Sequence, residues 1–179
     1  MHRVRLTLLL PLALTLLACT TAPVTPVESA APYLESKAQR LDDLRYVGAQ
    51  PGANDFKALK AAGITKVINF RTPPEMEELG FDEPKILQEL GIEYINIPMG
   101  GDDYGYTSNQ ISALKDALRP GEKVLLHCTI GWRASVVTVA YLVQEEGLPL
   151  DEAMVHAQHW WPLQLEKMLG RELELKFAD

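Results

Sequence analysis

Cysteine is scarce in this 179-residue chain: there are two, Cys19 and Cys128. Two cysteines cannot build a disulfide framework. His156 and His159 share no cysteine or acidic partner at ligand spacing, so neither a metal site nor any other cofactor is expected. Positive charge is also short, with 17 Lys and Arg against 24 Asp and Glu and a formal net charge of −7. That balance argues against nucleic acid as the main partner. No apolar run reaches the roughly 20 residues of a membrane-spanning helix; the longest is Leu6 to Ala18. No internal repeat is visible, which leaves solenoids and propellers aside.

The chain opens with His2, Arg3 and Arg5, continues with the apolar run, and then reaches Cys19. Residues 1–18 therefore read as a secretory signal segment outside the fold. The ending Leu16-Leu17-Ala18-Cys19 resembles a bacterial lipobox. That resemblance implies cleavage before Cys19 and a diacylglycerol- and palmitate-type modification of its thiol and amine. Several acyl chains on one residue would give stable anchoring, since each buried methylene contributes about 0.8 kcal/mol. The protein is thus expected to be an exported lipoprotein on the periplasmic or cell-surface side of a membrane. By resemblance to sorting rules, Thr20 in place of Asp favours an outer membrane. Removing the leader, with Arg3 and Arg5 and no acids, takes the charge from −7 to −9. Residues 19–40 are expected to be the lipidated cysteine and a flexible tether, because Thr20 to Pro32 is rich in Pro, Thr, Ala and Ser without an apolar period. Residues 41–179 are then long enough for one domain. If Cys19 is acylated, Cys128 is the sole thiol, and in an often oxidising compartment it is either buried or used.

Within that domain strands and helices alternate. Leu44 to Val47 reads as a short strand and Gln50-Pro51-Gly52 as a turn. Asn54 or Asp55 can cap a helix with Phe56, Leu59 and Ala62 on one face and Gly63 at its end. Thr65 to Phe70 is β-rich and apolar; Pro84 to Leu90 carries Ile86, Leu87 and Leu90 as a helix would; Ile92 to Ile97 alternates like a strand. A loop from Met99 to Thr107 follows, then an amphipathic helix marked by Ile111, Leu114 and Leu118, then a buried strand at Val124-Leu125-Leu126. Ala134 to Glu146 is apolar almost all round and predicts a core helix. Asp151 to about Leu169 predicts a helical region interrupted by Pro162. The fold class expected is α/β, a mainly parallel central sheet with helices on both faces. Ligands of such sheets sit beyond the carboxyl ends of strands.

One such end carries reactive chemistry: Lys123 to Ser135, KVLLHCTIGWRAS. A buried strand runs into His127 and Cys128, then a short loop with Gly131, then Arg133 at a helix start. Backbone N–H groups and the helix dipole at that junction form a cradle for an anion, from Thr129 and Ile130 through Gly131 and Trp132 to Arg133. The thiolate of a cysteine is its nucleophilic form, and the same positive potential favours it. Arg133 adds planar, forked donors suited to phosphate-type oxygens.

These residues resemble the signature His-Cys-x-x-Gly-x-x-Arg-Ser/Thr of the cysteine-dependent tyrosine and dual-specificity phosphatases. The resemblance runs from about Tyr46 through VINFR and IEYINIP to near Pro162. It implies attack by Cys128 on phosphorus, a phosphocysteine intermediate, and hydrolysis by water without a metal. His127, Cys128, Gly131 and Ser135 match without a gap, but the arginine position is Ala134 and Arg133 comes one residue early. Either the loop is shorter with Arg133 in the arginine role, as in a bacterial branch with His-Cys-x-x-Gly-x-Arg loops, or the loop is degenerate. A six-residue loop from cysteine to arginine also resembles rhodaneses, which transfer sulfur through a cysteine persulfide. Three readings stand: a phosphatase acting on a phosphorylated or other oxyanion substrate, a sulfurtransferase, and an anion- or partner-binding pseudophosphatase.

The resemblance puts the general acid at Asp102, with Asp103 adjacent, although a Gly-Gly-Asp-Asp turn is also what a solvated loop looks like. It gives His127 a supporting role in positioning the cysteine and Ser135 one in thiolate departure, while a buried hydrogen-bonded histidine without catalytic duty remains open. Arg71 can meet substrate anions or stand as a surface arginine at a strand end. Trp132 can wall the pocket, whereas Trp160 and Trp161 read as packing residues. Mass spectrometry of the membrane fraction is expected to find Cys19 as the N-terminal residue carrying lipid; an unmodified N-terminus elsewhere would refute the lipobox assignment.

Overall fold

The computed structural model describes residues 31–157 and 162–173. In chain order the elements are α1 (Ala31–Ser36), β1 (Ala38–Arg40), β2 (Arg45–Gly48), α2 (Asp55–Ala61), β3 (Lys66–Asn69), α3 (Pro73–Glu77), α4 (Glu83–Glu89), β4 (Glu93–Asn96), α5 (Gly101–Tyr104), α6 (Ser108–Ala117), β5 (Val124–His127), α7 (Trp132–Gln144), α8 (Leu150–Met154) and α9 (Pro162–Leu169). The sheet order is β1-β2-β5-β3-β4, with β1 antiparallel and every other pairing parallel.

The sheet divides the interior in two because side chains alternate along each strand. On β5, Val124 and Leu126 face one layer, formed with Ile111 and Leu114 of α6, Val137 and Ala140 of α7, Ala153 of α8 and Leu165 of α9. Leu125 and Val67 of β3 face the other, with Tyr33 of α1, Phe56 and Leu59 of α2 and Leu87 of α4. The fold is thus a single-domain α/β arrangement with a mostly parallel sheet between helices. β3 and β5 are buried at every position, which is why their centres, Val67-Ile68 and Val124-Leu125-Leu126, are apolar without alternation. Two helix starts are set locally. The Asp82 carboxylate accepts from the Lys85 amide at 3.0 Å ahead of α4. Thr107 and Gln110 form a capping box at α6.

Three expectations need correction. The flexible tether does not run to residue 40: α1 and β1 are folded onto the sheet, where Tyr33 is buried and its hydroxyl donates to the Ala49 carbonyl. The segment sits so close to β2 that a side chain at Gly48 would meet the Lys37 carbonyl at 2.7 Å, so only glycine fits. The Met99–Thr107 loop contains a one-turn helix, α5. Pro162 does not interrupt a helix; it is the first residue of α9, where its missing N–H costs nothing. The leader, Cys19, His159, Trp160 and Trp161 lie outside the described residues. Among the described residues no helix is long and apolar enough to cross a membrane.

Tyr33→Phe is expected to cost about 1 kcal/mol for the lost hydrogen bond, and Tyr33→Ala about 3 kcal/mol or more for the cavity. Chemical denaturation read by circular dichroism checks both; equal, negligible effects would mean that α1 does not contribute to the core.

Candidate active site

The carboxyl end of β5 is gripped from both sides. The Phe70 amide donates to the His127 carbonyl at 2.9 Å, the Gln50 amide to the Thr129 carbonyl at 3.1 Å, and the Cys128 amide to the Gly48 carbonyl at 3.4 Å. Cys128 is a free, buried cysteine at the bottom of the loop. Gly131 turns the chain with φ 90°, a conformation that side-chain-bearing residues rarely adopt, and serves as the N-cap of α7. The Ser135 amide then donates to the Gly131 carbonyl at 2.9 Å and the helix proceeds. The amides of Thr129, Ile130 and Gly131 find no acceptor among the described residues, and the first turn of a 13-residue helix follows them. Free amide donors ahead of a helix N-terminus are an arrangement able to hold an anion, and Cys128 opens the loop that carries them.

Arg133, the second residue of α7, completes the ring. Its Nη1 donates to Glu75 Oε2 at 2.7 Å and to the Met99 carbonyl at 3.0 Å. Its Nη2 donates to Glu75 Oε1 at 2.6 Å and to Thr129 Oγ1 at 2.9 Å. Burial works against the charged guanidinium, but the Glu75 hydrogen bonds and the neighbouring Cys128 outweigh it and raise the Arg133 pKa. Glu75 responds in kind: chiefly through the Arg133 hydrogen bonds, and against its partial burial, its carboxyl is held well below the usual carboxylate range. Ala134, at the position where the longer signature has arginine, is fully buried in the core, so a guanidinium has no room there.

Glu75 escaped the sequence reading. Its one local signal is the Thr72-to-Glu75 capping box, in which Glu75 Oε2 accepts from the Thr72 amide at 2.8 Å. Tyr106 was also missed; it lines a small cavity with Trp132, Arg133 and Val136. Burial raises the Tyr106 pKa, Arg133 opposes the shift, and Cys128 and Glu75 add to it.

The other singled-out residues divide. Thr129 and Ile130 are exposed at the loop tip, Ile130 at 52%. His127 and Ser135 are buried. Asp102 and Asp103 are exposed on α5 and form no ion pair among the described residues, whereas Met99 and Gly100 just before them pack against Arg133. Arg71 is neither at the surface nor open to a ligand: it is buried, with Nη1 donating to Gln50 Oε1 and Nη2 to the Glu75 carbonyl, both at 2.8 Å. Among the described residues no group of His, Cys, Asp and Glu could hold a metal ion.

A strand end, a cysteine under a helix N-terminus and a buffered arginine define a class of oxyanion-handling site, and the comparisons agree with it. The human dual specificity protein phosphatase 26 is 30% identical over 116 residues, 61% of this chain and 52% of that protein. The crystal structure of PTPMT1 in complex with PI(5)P matches with a TM-score of 0.60 and 26% identity over 74% of this chain and 92% of that one. A DUF442 protein of Shewanella putrefaciens shares the fold, with a TM-score of 0.64 and 23% identity over 78% of this chain and 94% of its own. No family model matches, and the chain spans about half the length of the curated relatives it matches, 57% and 52% for two of them. In sequence and fold the chain is thus similar to the cysteine-dependent tyrosine and dual-specificity phosphatases.

Because the Glu75 pKa is depressed in the fold, its contribution is fully present above the usual carboxylate range and is lost only as pH falls below it. Carbon-detected NMR titration is expected to show the Glu75 carboxyl still ionised below the pH range in which free carboxylates protonate. Co-titration with them would contradict the pairing with Arg133.

Proposed function

We propose that this chain is a cysteine-dependent phosphatase acting on a phosphate monoester, and that it works as an exported lipoprotein held at a membrane through Cys19. The observation that supports the reading is that the loop opened by Cys128 carries three amides with no acceptor among the described residues, and that the Arg133 guanidinium lies within hydrogen-bonding reach of the Cys128 side chain. In the proposed step the sulfur attacks phosphorus in line with the leaving oxygen, the P–O bond breaks, and Asp102 gives that oxygen a proton. Water then cleaves the S–P bond and releases phosphate. The amides and Arg133 meet the charge on the equatorial oxygens without reorganisation.

Arg133 has five N–H donors, and four are already assigned. The guanidinium is also within hydrogen-bonding reach of the Cys128 side chain. A phosphate gripped by Arg133 therefore displaces the Thr129 contact and leaves the Glu75 pair intact. The phosphoinositide in the PTPMT1 complex supports including membrane headgroups among the candidate phosphate esters.

Detergent-solubilised protein can be given an aryl phosphate and thiosulfate in parallel, with intact mass read after quenching. Phosphate release with a phosphoryl adduct on Cys128 is expected, abolished by Cys128→Ser and nearly so by Arg133→Lys, since a point charge cannot replace the fork. A persulfide that cyanide removes, with no phosphate release, would mean sulfur transfer on the short loop; neither product would mean a binding module. Asp102→Asn is expected to slow esters with poor leaving groups by about 10²–10⁴ while sparing activated ones; loss confined to Asp103→Asn would reassign the acid.

A further inference from the structure

We propose that Glu83 is a positioning residue for the chemistry at Cys128, acting through His127. Glu83 opens α4, 44 residues before the histidine in sequence, yet both side chains are fully buried and His127 Nε2 lies 2.8 Å from Glu83 Oε1. A carboxylate out of water is costly unless its lone pairs are met. Here the second oxygen is met as well: Gln50 Nε2 donates to Glu83 Oε2 at 2.8 Å.

The orientation of that amide is dictated by its other end. Arg71 has only donors, and its Nη1 reaches Gln50 Oε1 at 2.8 Å, so the oxygen must face Arg71 and the nitrogen must face Glu83. Glu83 Oε2 is therefore an acceptor. Any proton held by the pair lies on the other side, between Oε1 and His127 Nε2. This arrangement assigns Nε2 to the carboxylate and leaves Nδ1, which is buried and has no hydrogen-bond partner among the described residues, as the nitrogen that differs between the neutral and charged ring.

Position then follows. The imidazole cannot rotate without breaking the Glu83 contact, and it sits one residue before the nucleophile, on a strand whose end is fixed by Gly48 and Phe70. The carboxylate therefore holds one tautomer and one ring orientation next to Cys128. The other groups facing Glu83 do not compete for the role. Burial first, and then the Glu83 charge among others, raises the pKa of both Tyr33 on α1 and Tyr94 on β4, so these hydroxyls stay neutral; Asp55 of α2 also bears on Tyr33, and Arg71 bears on Tyr94.

The proposal rests on Cys128 being the nucleophile, so its test reads the sulfur directly and needs no turnover. The rate of Cys128 alkylation by iodoacetamide is followed against pH in the full chain. Glu83→Gln keeps the size but replaces the acceptor-only carboxylate that orients His127, and the half-maximal pH is expected to move by roughly one unit, a tenfold change in thiolate below it. With an aryl phosphate, kcat should fall by about tenfold with KM nearly unchanged, and Glu83→Asp should restore the alkylation midpoint. A folded Glu83→Gln protein with an unchanged midpoint would overturn the proposal, as would loss of activity that tracks thermal stability alone in both variants. Should Glu83→Gln not fold, ¹⁵N-histidine NMR of the unaltered protein decides: a proton on His127 Nε2 is expected, and a ring protonated on Nδ1 alone refutes the assignment. A midpoint shift without any phosphate release would leave Glu83 in its role and count against the phosphatase reading only.

Discussion

The two-point contact between Arg133 and Glu75 holds the site together. It ties the loop after β5 to α3, which follows β3, while the same guanidinium reaches the Met99 carbonyl after β4. Three parallel strands end side by side, and their loops converge on one planar cation. Because a guanidinium is rigid and its donors are fixed in direction, the carboxylate sets where the remaining donors aim. Without Glu75, Arg133 would be a long side chain near an anion site; with it, the arginine becomes part of the wall.

Behind that wall lies a second, buried polar layer in which Arg71 contacts Gln50, Gln50 contacts Glu83 and Glu83 contacts His127. Arg71 also donates to the Glu75 carbonyl, so the two layers share a member. Apolar packing alone leaves relative rotations of the strands and helices soft, whereas a chain of directional bonds in a dry interior is satisfied in one arrangement only. Such a layer costs desolvation, and what it provides here is a fixed relation between the nucleophile loop and the helices that surround it.

Much of the frame was legible because local rules act over a few residues. The strands at 66–69 and 124–127 are buried on both faces and have apolar centres, Val67-Ile68 and Val124-Leu125-Leu126, and glycines mark where helices stop. The junction of strand, His127-Cys128, Gly131 and Arg133 is contiguous, and it reads directly. What failed to read depends on distant partners. Glu75 follows two prolines and looks like an ordinary helix start; only Arg133, 58 residues on, gives it a further duty. Arg71 resembled a strand-end surface residue because nothing near it in sequence foretells Gln50. The segment 31–40 has too little apolar pattern to announce itself, and Tyr33 is buried because Gly48 leaves room for it.

Folding of that segment changes the geometry of attachment. If Cys19 is the lipid-bearing residue, the leash between the bilayer and the first described helix is residues 20–30, not a stretch reaching to residue 40. Fully extended, it spans at most about 40 Å. With such an anchor, the face bearing Cys128 would stand no farther than roughly one domain diameter above the headgroups, within reach of ligands in or just above the membrane plane and away from those that diffuse freely beyond.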